Sequence, residues 1–170
     1  MLQSAVDAMA AQGLSAEALQ LDQTDVDAVK GALSAPYDVV VNSAGLARHS
    51  AAVDTDPADF DAVMVINLRS AYFLSTAAAR ALMAAGKPGS IIHISSLMGH
   101  VGGIDRAVYC ASKHAVEGMT KSMAIEWGKA GIRINTICPT FIRTPLTAPT
   151  FNNPDLLAWN MDKIKLPREG

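Results

Sequence analysis

Tyr109 and Lys113 stand four residues apart in the run Ser90–Trp127, SIIHISSLMGHVGGIDRAVYCASKHAVEGMTKSMAIEW. Val108, Ala111, Ala115, Met119, Ser122, Met123 and Trp127 recur at steps of three and four, which predicts a helix over Ile104–Trp127. On it, residues four apart lie one above the other, so Tyr109 and Lys113 point the same way. A free phenol titrates near pH ~10, and a neighbouring ammonium favours its charged form. Such a pair can exchange a proton with an alcohol or carbonyl oxygen, which is general acid–base work. A Tyr and a Lys at this spacing also arise often by chance. Here they follow a predicted strand, Ser90–Ile94, then Ser95 and Ser96, then a loop carrying Gly99, Gly102 and Gly103. A hydroxyl at a strand's carboxyl end sits where open α/β sheets place ligands.

The flanking segments read as elements able to hold these groups. Leu2–Gln12 is an Ala-rich helix stopped by Gly13, and Ala18–Leu21 is a short strand candidate. Asp22-Gln23-Thr24-Asp25 forms a loop before a helix over Val26–Leu33, which Thr24 or Asp25 caps. Val39–Val41 is an apolar strand of the kind found in sheets covered on both faces. The small residues Asn42-Ser43-Ala44-Gly45 after it let a ligand approach the backbone, or simply end the strand in a turn. Asp56-Pro57 starts a long helix that runs to about Ala85, with Asn67 on its apolar stripe. Ile132–Cys138 is a further apolar strand closed by Pro139, and Asp155–Lys163 is a late helical piece. Strands and helices alternate throughout, so the fold class is α/β with a doubly wound parallel sheet in one domain.

Composition excludes other classes. The chain has 170 residues, is 50% hydrophobic and carries a formal charge of −2. No basic stripe suits nucleic acid and no polybasic patch suits a membrane surface. No apolar run reaches transmembrane length and no leader is visible. Cys110 and Cys138 lack metal-ligand or disulfide-framework spacing, so free thiols and a cytoplasmic location are expected, with no metal. Cys110 reads as a small buried hydrophobe.

Together the segments resemble the short-chain dehydrogenase/reductase family, whose members carry Tyr-x-x-x-Lys with a Ser thirteen residues before the Tyr. Counting back from Tyr109 gives Ser96, not Ser95. The resemblance implies a Rossmann-like three-layer α/β/α domain. Nothing matches the Gly-rich turn after the family's first strand, so the chain is expected to be incomplete, without the first strands and the last strand. It also implies catalytic roles for Asn67, Ser96, Tyr109 and Lys113. Ser96 would bind the substrate oxygen, Tyr109 would transfer the proton, and Lys113 would activate Tyr109 and hold the nicotinamide ribose. Asn67 would complete a proton relay; as a residue alone it reads equally as a hydrogen-bonded structural Asn.

The same resemblance assigns NAD or NADP, with Asp22 and Gln23 at the adenine, and Asn42, Ala44 and Gly45 along the cleft. Pro139, Ile142 and Thr144 fall beside the nicotinamide. Asp22 and Thr144 have capping or turn roles as alternatives. Asn42-Ser43-Ala44-Gly45 departs mildly from the family's Asn-Asn-Ala-Gly, and Pro139-Thr140 departs from its usual Pro-Gly. Residues from about 146 to 170 correspond to a substrate lid. His100 lies four residues after Ser96 and is a candidate substrate contact, while His93 and His114 read as structural. The implied function is interconversion of a secondary alcohol and a ketone, on a sugar, polyol or oxoacyl-type substrate, in a homo-oligomer built on the two long helices. The alternative is an inactive or binding-only relative without the pyrophosphate turn.

Overall fold

The computed structural model describes residues 2–144 and 147–163. Three parallel strands form its sheet in the order β1 (Val39–Asn42), β2 (Gly89–Ile94), β3 (Ile132–Ile137). The register pairs Val40 with Ile91 and Ile91 with Ile134. Parallel neighbours need long crossovers. The first runs through α3 (Pro57–Met64), a π-helical stretch (Val65–Ser70) and α4 (Ala71–Ala84); the second runs through α5 (Ala107–Trp127). Asp56 caps α3 by accepting from Ala58 N at 2.7 Å, with Pro57 in the first turn.

One face of the sheet carries the core. Val40, Ile91 and Ile134 pack with Ala78, Ala79 and Leu82 of α4 and Met123 and Trp127 of α5. Burying an aliphatic side chain such as Leu82 or Ile91 is worth about 1.5–3 kcal/mol. The small residues of α4 let it lie close to the strands. At Gly89 the approach is closest: a Cβ there would fall 2.5 Å from Leu82 Cδ1. A second cluster joins Val29 of α2 (Val26–Ala32) to Leu74 and Ala77. The opposite face presents Val39, Val41 and Ile137, each more than half exposed. Of the three layers implied by the resemblance, the described residues therefore supply the sheet and the helices on one face. α1 (Leu2–Ala10) buries no residue, and α6 (Ala148–Phe151) and α7 (Pro154–Lys163) follow β3. Leu146 and residues 164–170 of the expected lid lie outside the described residues.

Three expectations need correction. Ala18–Leu21 forms no strand, because a strand needs a ladder partner and β1 pairs only with β2. The helix expected from Ile104 begins at Ala107, since Asp105 takes a left-handed conformation (φ 57°) whose carbonyl accepts from Ser50 N at 3.1 Å. The span Pro57–Ala84 is one 28-residue helical run, long and apolar enough by composition to cross a membrane. Half of its most apolar window is buried, and Asn67, Ser70 and Ser75 are buried polar residues on it, as in a core helix packed on a sheet.

Candidate active site

The carboxyl ends of the strands gather the chemistry. Lys113, one turn after Tyr109, is 5% exposed. Its Nζ donates to Ile94 O at 2.9 Å and lies 5.7 Å from the centre of the Tyr109 ring. Burial lowers the Lys113 pKa, and the neighbouring Cys138 and Glu117 push it back up. A Cβ placed on Gly45 would meet Asn67 Oδ1 at 3.6 Å and Lys113 Nζ at 3.8 Å, so the loop after β1 abuts both groups. Tyr109 is half-buried in the first turn of α5, with His49 edge-on at 6.2 Å between ring centres.

Asn67 sits in the π-helical stretch, a helix defect often found at functional sites. Its Oδ1 accepts from Leu46 N at 2.7 Å, and Nδ2 donates to Leu46 O at 2.9 Å and to Ser112 Oγ at 3.0 Å. The amide thus clamps the loop after β1 to α5, and only its second Oδ1 lone pair remains for a water. Ser70 Oγ donates to Val65 O at 2.9 Å, giving a partner to a carbonyl in the same stretch.

Asn42 and Ala44 belong to a fixed chain of bonds. Ala44 N donates to Asn42 Oδ1 at 3.2 Å, which sets the amide so that Nδ2 donates to His93 Nδ1 at 3.3 Å. The Nε2–H of His93 then donates to Ser75 Oγ at 2.9 Å, and Ser75 donates to Ala71 O at 2.8 Å. Burial, helped by the Lys113 charge and opposed by Glu117, lowers the His93 pKa to about 4, so the ring is neutral at pH 7. His93 is a support for the cleft.

The two serines after β2 differ. Ser95 is 4% exposed and its Oγ has no hydrogen-bond partner among the described residues. Ser96 is half-buried and caps a single turn, Leu97–Gly99, by accepting from Met98 N at 3.1 Å, which leaves its hydroxyl proton available. Of the two, Ser96 is the more exposed. Pro139 lies beside this turn, its carbonyl accepting from Leu97 N at 3.0 Å.

Other expected site residues are spread out. Asp22 is exposed, accepts from Thr24 N and Oγ1 at 2.8 Å, and has its pKa lowered by those bonds. Gln23 Oε1 is buried without a partner among the described residues. Ile142 and Thr144 are exposed and are linked through Thr147, whose Oγ1 donates to Ile142 O at 2.5 Å and accepts from Thr144 N at 3.0 Å. His100, half exposed, turns its Nε2 to Cys138 Sγ at 3.4 Å and Glu117 Oε2 at 3.6 Å. Sequence reasoning missed Glu117. Its buried carboxylate accepts from Thr136 Oγ1 at 3.0 Å and Cys138 Sγ at 3.3 Å. Burial raises its pKa, but the Ser95, Thr136 and Cys138 side chains and the pull of His100 outweigh that and lower it. Its helical spacing from Lys113 was the one visible signal.

A Lys with one N–H spent on a carbonyl, beside a glycine step and a clamped amide, suits a polar cofactor with ribose hydroxyls to accept the remaining donors. Residues 1–170 match the family described as enoyl-(acyl carrier protein) reductase. The chain is 41% identical over 122 residues to (3R)-3-hydroxyacyl-CoA dehydrogenase of Mus musculus, covering 72% of this chain and 47% of that protein. It is 39% identical over 133 residues to 2-dehydro-3-deoxy-D-gluconate 5-dehydrogenase of Escherichia coli, covering 78% and 53%. It spans about half the length of these curated relatives. Among solved structures, gluconate 5-dehydrogenase from Burkholderia cenocepacia, in complex with NADP and tartrate, matches with a TM-score of 0.93 and 26% identity, covering 99% of this chain and 68% of that one. With the family match spanning its whole length, the chain belongs to the short-chain dehydrogenase/reductase family.

Proposed function

We propose that the chain carries the catalytic half of an NAD(P)-dependent oxidoreductase that interconverts a secondary alcohol and a ketone. The observation that carries this reading is Lys113 Nζ held between the Tyr109 ring and the Ile94 carbonyl at the ends of β1 and β2. A bound nicotinamide supplies or accepts the hydride. Ser96 donates to the substrate oxygen and orients it. Tyr109 gives a proton to that oxygen in reduction and takes it in oxidation. Lys113 stabilises charge developing on the phenol oxygen and offers its free N–H groups to the ribose. Asn67 keeps Leu46 and α5 in register and presents one lone pair to a relay water. Asp22, Gln23, Asn42, Ala44, Gly45, Pro139, Ile142 and Thr144 line the cofactor path.

The relatives act on sugar acids and hydroxyacyl-CoA by name, which supports a small hydroxylated or acyl substrate. Both cysteines are free thiols, in keeping with a cytoplasmic enzyme. A groove of about 750 Å³ between α4 and α5, lined by Tyr72, Met83, Met119, Met123 and Trp127, supports assembly of copies through these helices. Isothermal titration of the purified chain with NAD+ and NADP+ tests the reading. Saturable binding of one of them supports it, and no heat with either contradicts it for this chain.

A further inference from the structure

We propose that His100, Glu117 and Cys138 form a binding site for a thiophilic divalent cation, with Zn2+ as the fitting ion. Three different elements supply the donors: the turn after β2, the middle of α5, and the residue after β3. Their donor atoms lie within 4.8 Å of one another. Nε2 to Sγ is 3.4 Å, Nε2 to Oε2 is 3.6 Å, and Sγ to Oε1 is 3.3 Å. Tetrahedral Zn2+ with ordinary Zn–S, Zn–N and Zn–O bonds puts such donors about 3.4–3.6 Å apart. The Nε2–Sγ edge already has that length, each of these two atoms stands at such a distance from a different Glu117 oxygen, and one carboxylate oxygen lies within 4.8 Å of both. A nitrogen, a sulfur and a carboxylate oxygen select zinc over the oxygen-seeking Mg2+ and Ca2+.

The surroundings favour a cation. The Glu117 side chain is 8% exposed, and the one cationic partner recorded within salt-bridge distance among the described residues is His100, charged only when protonated. The Lys113 ammonium also acts on this carboxylate, but its Nζ is bonded to the Ile94 carbonyl and makes no ion pair with Glu117 among the described residues. Thr136 Oγ1 would stay bonded to Oε2 and orient it, as outer hydrogen bonds do around metal ligands. His100 is 49% exposed, which leaves a path for the ion and room for water at a fourth position. Ser95 Oγ, buried and without a hydrogen-bond partner among the described residues, lies near the Glu117 stem: it and Glu117 Cγ are each 3.1 Å from a Cβ placed on Gly99. Binding forms Zn–N, Zn–O and Zn–S bonds and sends the Cys138 thiol proton to solvent, with no change in oxidation state.

The test uses the chelator-stripped, reduced full chain, with neither cofactor nor substrate. Zn2+ is titrated against a chromophoric chelator, and Co2+ is added separately to look for sulfur-to-metal charge-transfer absorption. The expected result is one Zn2+ per chain and a Co2+ band lost in Cys138→Ser. Affinity should fall by more than about a hundredfold in Cys138→Ser and in His100→Ala, beyond the cost of losing an outer hydrogen bond. Circular dichroism confirms that both variants fold; His100 is on the surface, so its removal spares the core. Absence of stoichiometric binding, or binding unchanged in the folded His100→Ala and Cys138→Ser chains, overturns the proposal. Neither outcome depends on the nicotinamide reaction.

Discussion

Lys113 Nζ donates a 2.9 Å hydrogen bond to the carbonyl of Ile94, two residues before Ser96, and so ties α5 to the end of β2. This one bond fixes the distance between the helix bearing Tyr109 and the strand end bearing Ser96. Lys113→Met keeps the length of the side chain and removes the ammonium. We expect kcat/KM to fall by about 10²–10⁴, with a folded chain by circular dichroism. Unchanged turnover in Lys113→Met would remove the ammonium from the reaction.

Asn67→Ala breaks three bonds at once and leaves Leu46 N and O without their partner in a confined site. Stranded polar groups cost about 1–3 kcal/mol each. Urea unfolding should show a loss of about 2–4 kcal/mol. A loss below about 1 kcal/mol would mean that the loop after β1 is held by something other than this amide.

The strands and the Tyr109–Lys113 spacing were legible because both are local patterns: apolar runs such as Val39–Val41, and a helical step of four. Ser96 was singled out by the thirteen-residue spacing that the family resemblance implies, and it is more exposed than Ser95. The His100–Glu117–Cys138 cluster was not legible, because its members come from three elements and meet only through parallel pairing of β2 with β3. Nor was the π-helical stretch around Asn67, since the apolar stripe of the long helix continues through it. The delayed start of α5 depends on the backbone at Asp105, a left-handed residue that no periodicity reveals.

His93 gives the fold a pH dependence. Its folded pKa is about 4 against 6.5 for the free side chain. As pH falls below about 6.5 the unfolded chain takes up a proton that the folded chain refuses. The contribution is therefore complete above that pH, is lost between about 6.5 and 4, and is flat below. A shift of this size corresponds to about 3 kcal/mol. The gap between the unfolding free energies of wild type and His93→Asn should change by about that amount between pH 7 and pH 4. Parallel pH curves would show that the buried ring titrates normally.

Two glycines should respond differently to Ala. Gly89→Ala drives a Cβ to 2.5 Å from Leu82 Cδ1, an overpacking that costs about 1–3 kcal/mol. Gly45→Ala meets its neighbours at ordinary contact distances, so thermal melting should change little. It narrows the space beside Lys113 Nζ, however, and cofactor affinity by calorimetry should drop about tenfold, or about 1.4 kcal/mol. Equal cofactor affinity in Gly45→Ala would place the cofactor path elsewhere.

In the proposed reaction the phenol of Tyr109 carries the proton. Its most direct test is the rate of NAD(P)H formation with a panel of secondary alcohols, comparing wild type with Tyr109→Phe, which removes one oxygen and keeps the ring beside His49 and Lys113. The wild-type chain should turn over measurably, and kcat of the variant should fall by at least about a hundredfold. A Tyr109→Phe chain that turns over within threefold of wild type, or a wild-type chain inert toward every alcohol with both cofactors, would contradict it.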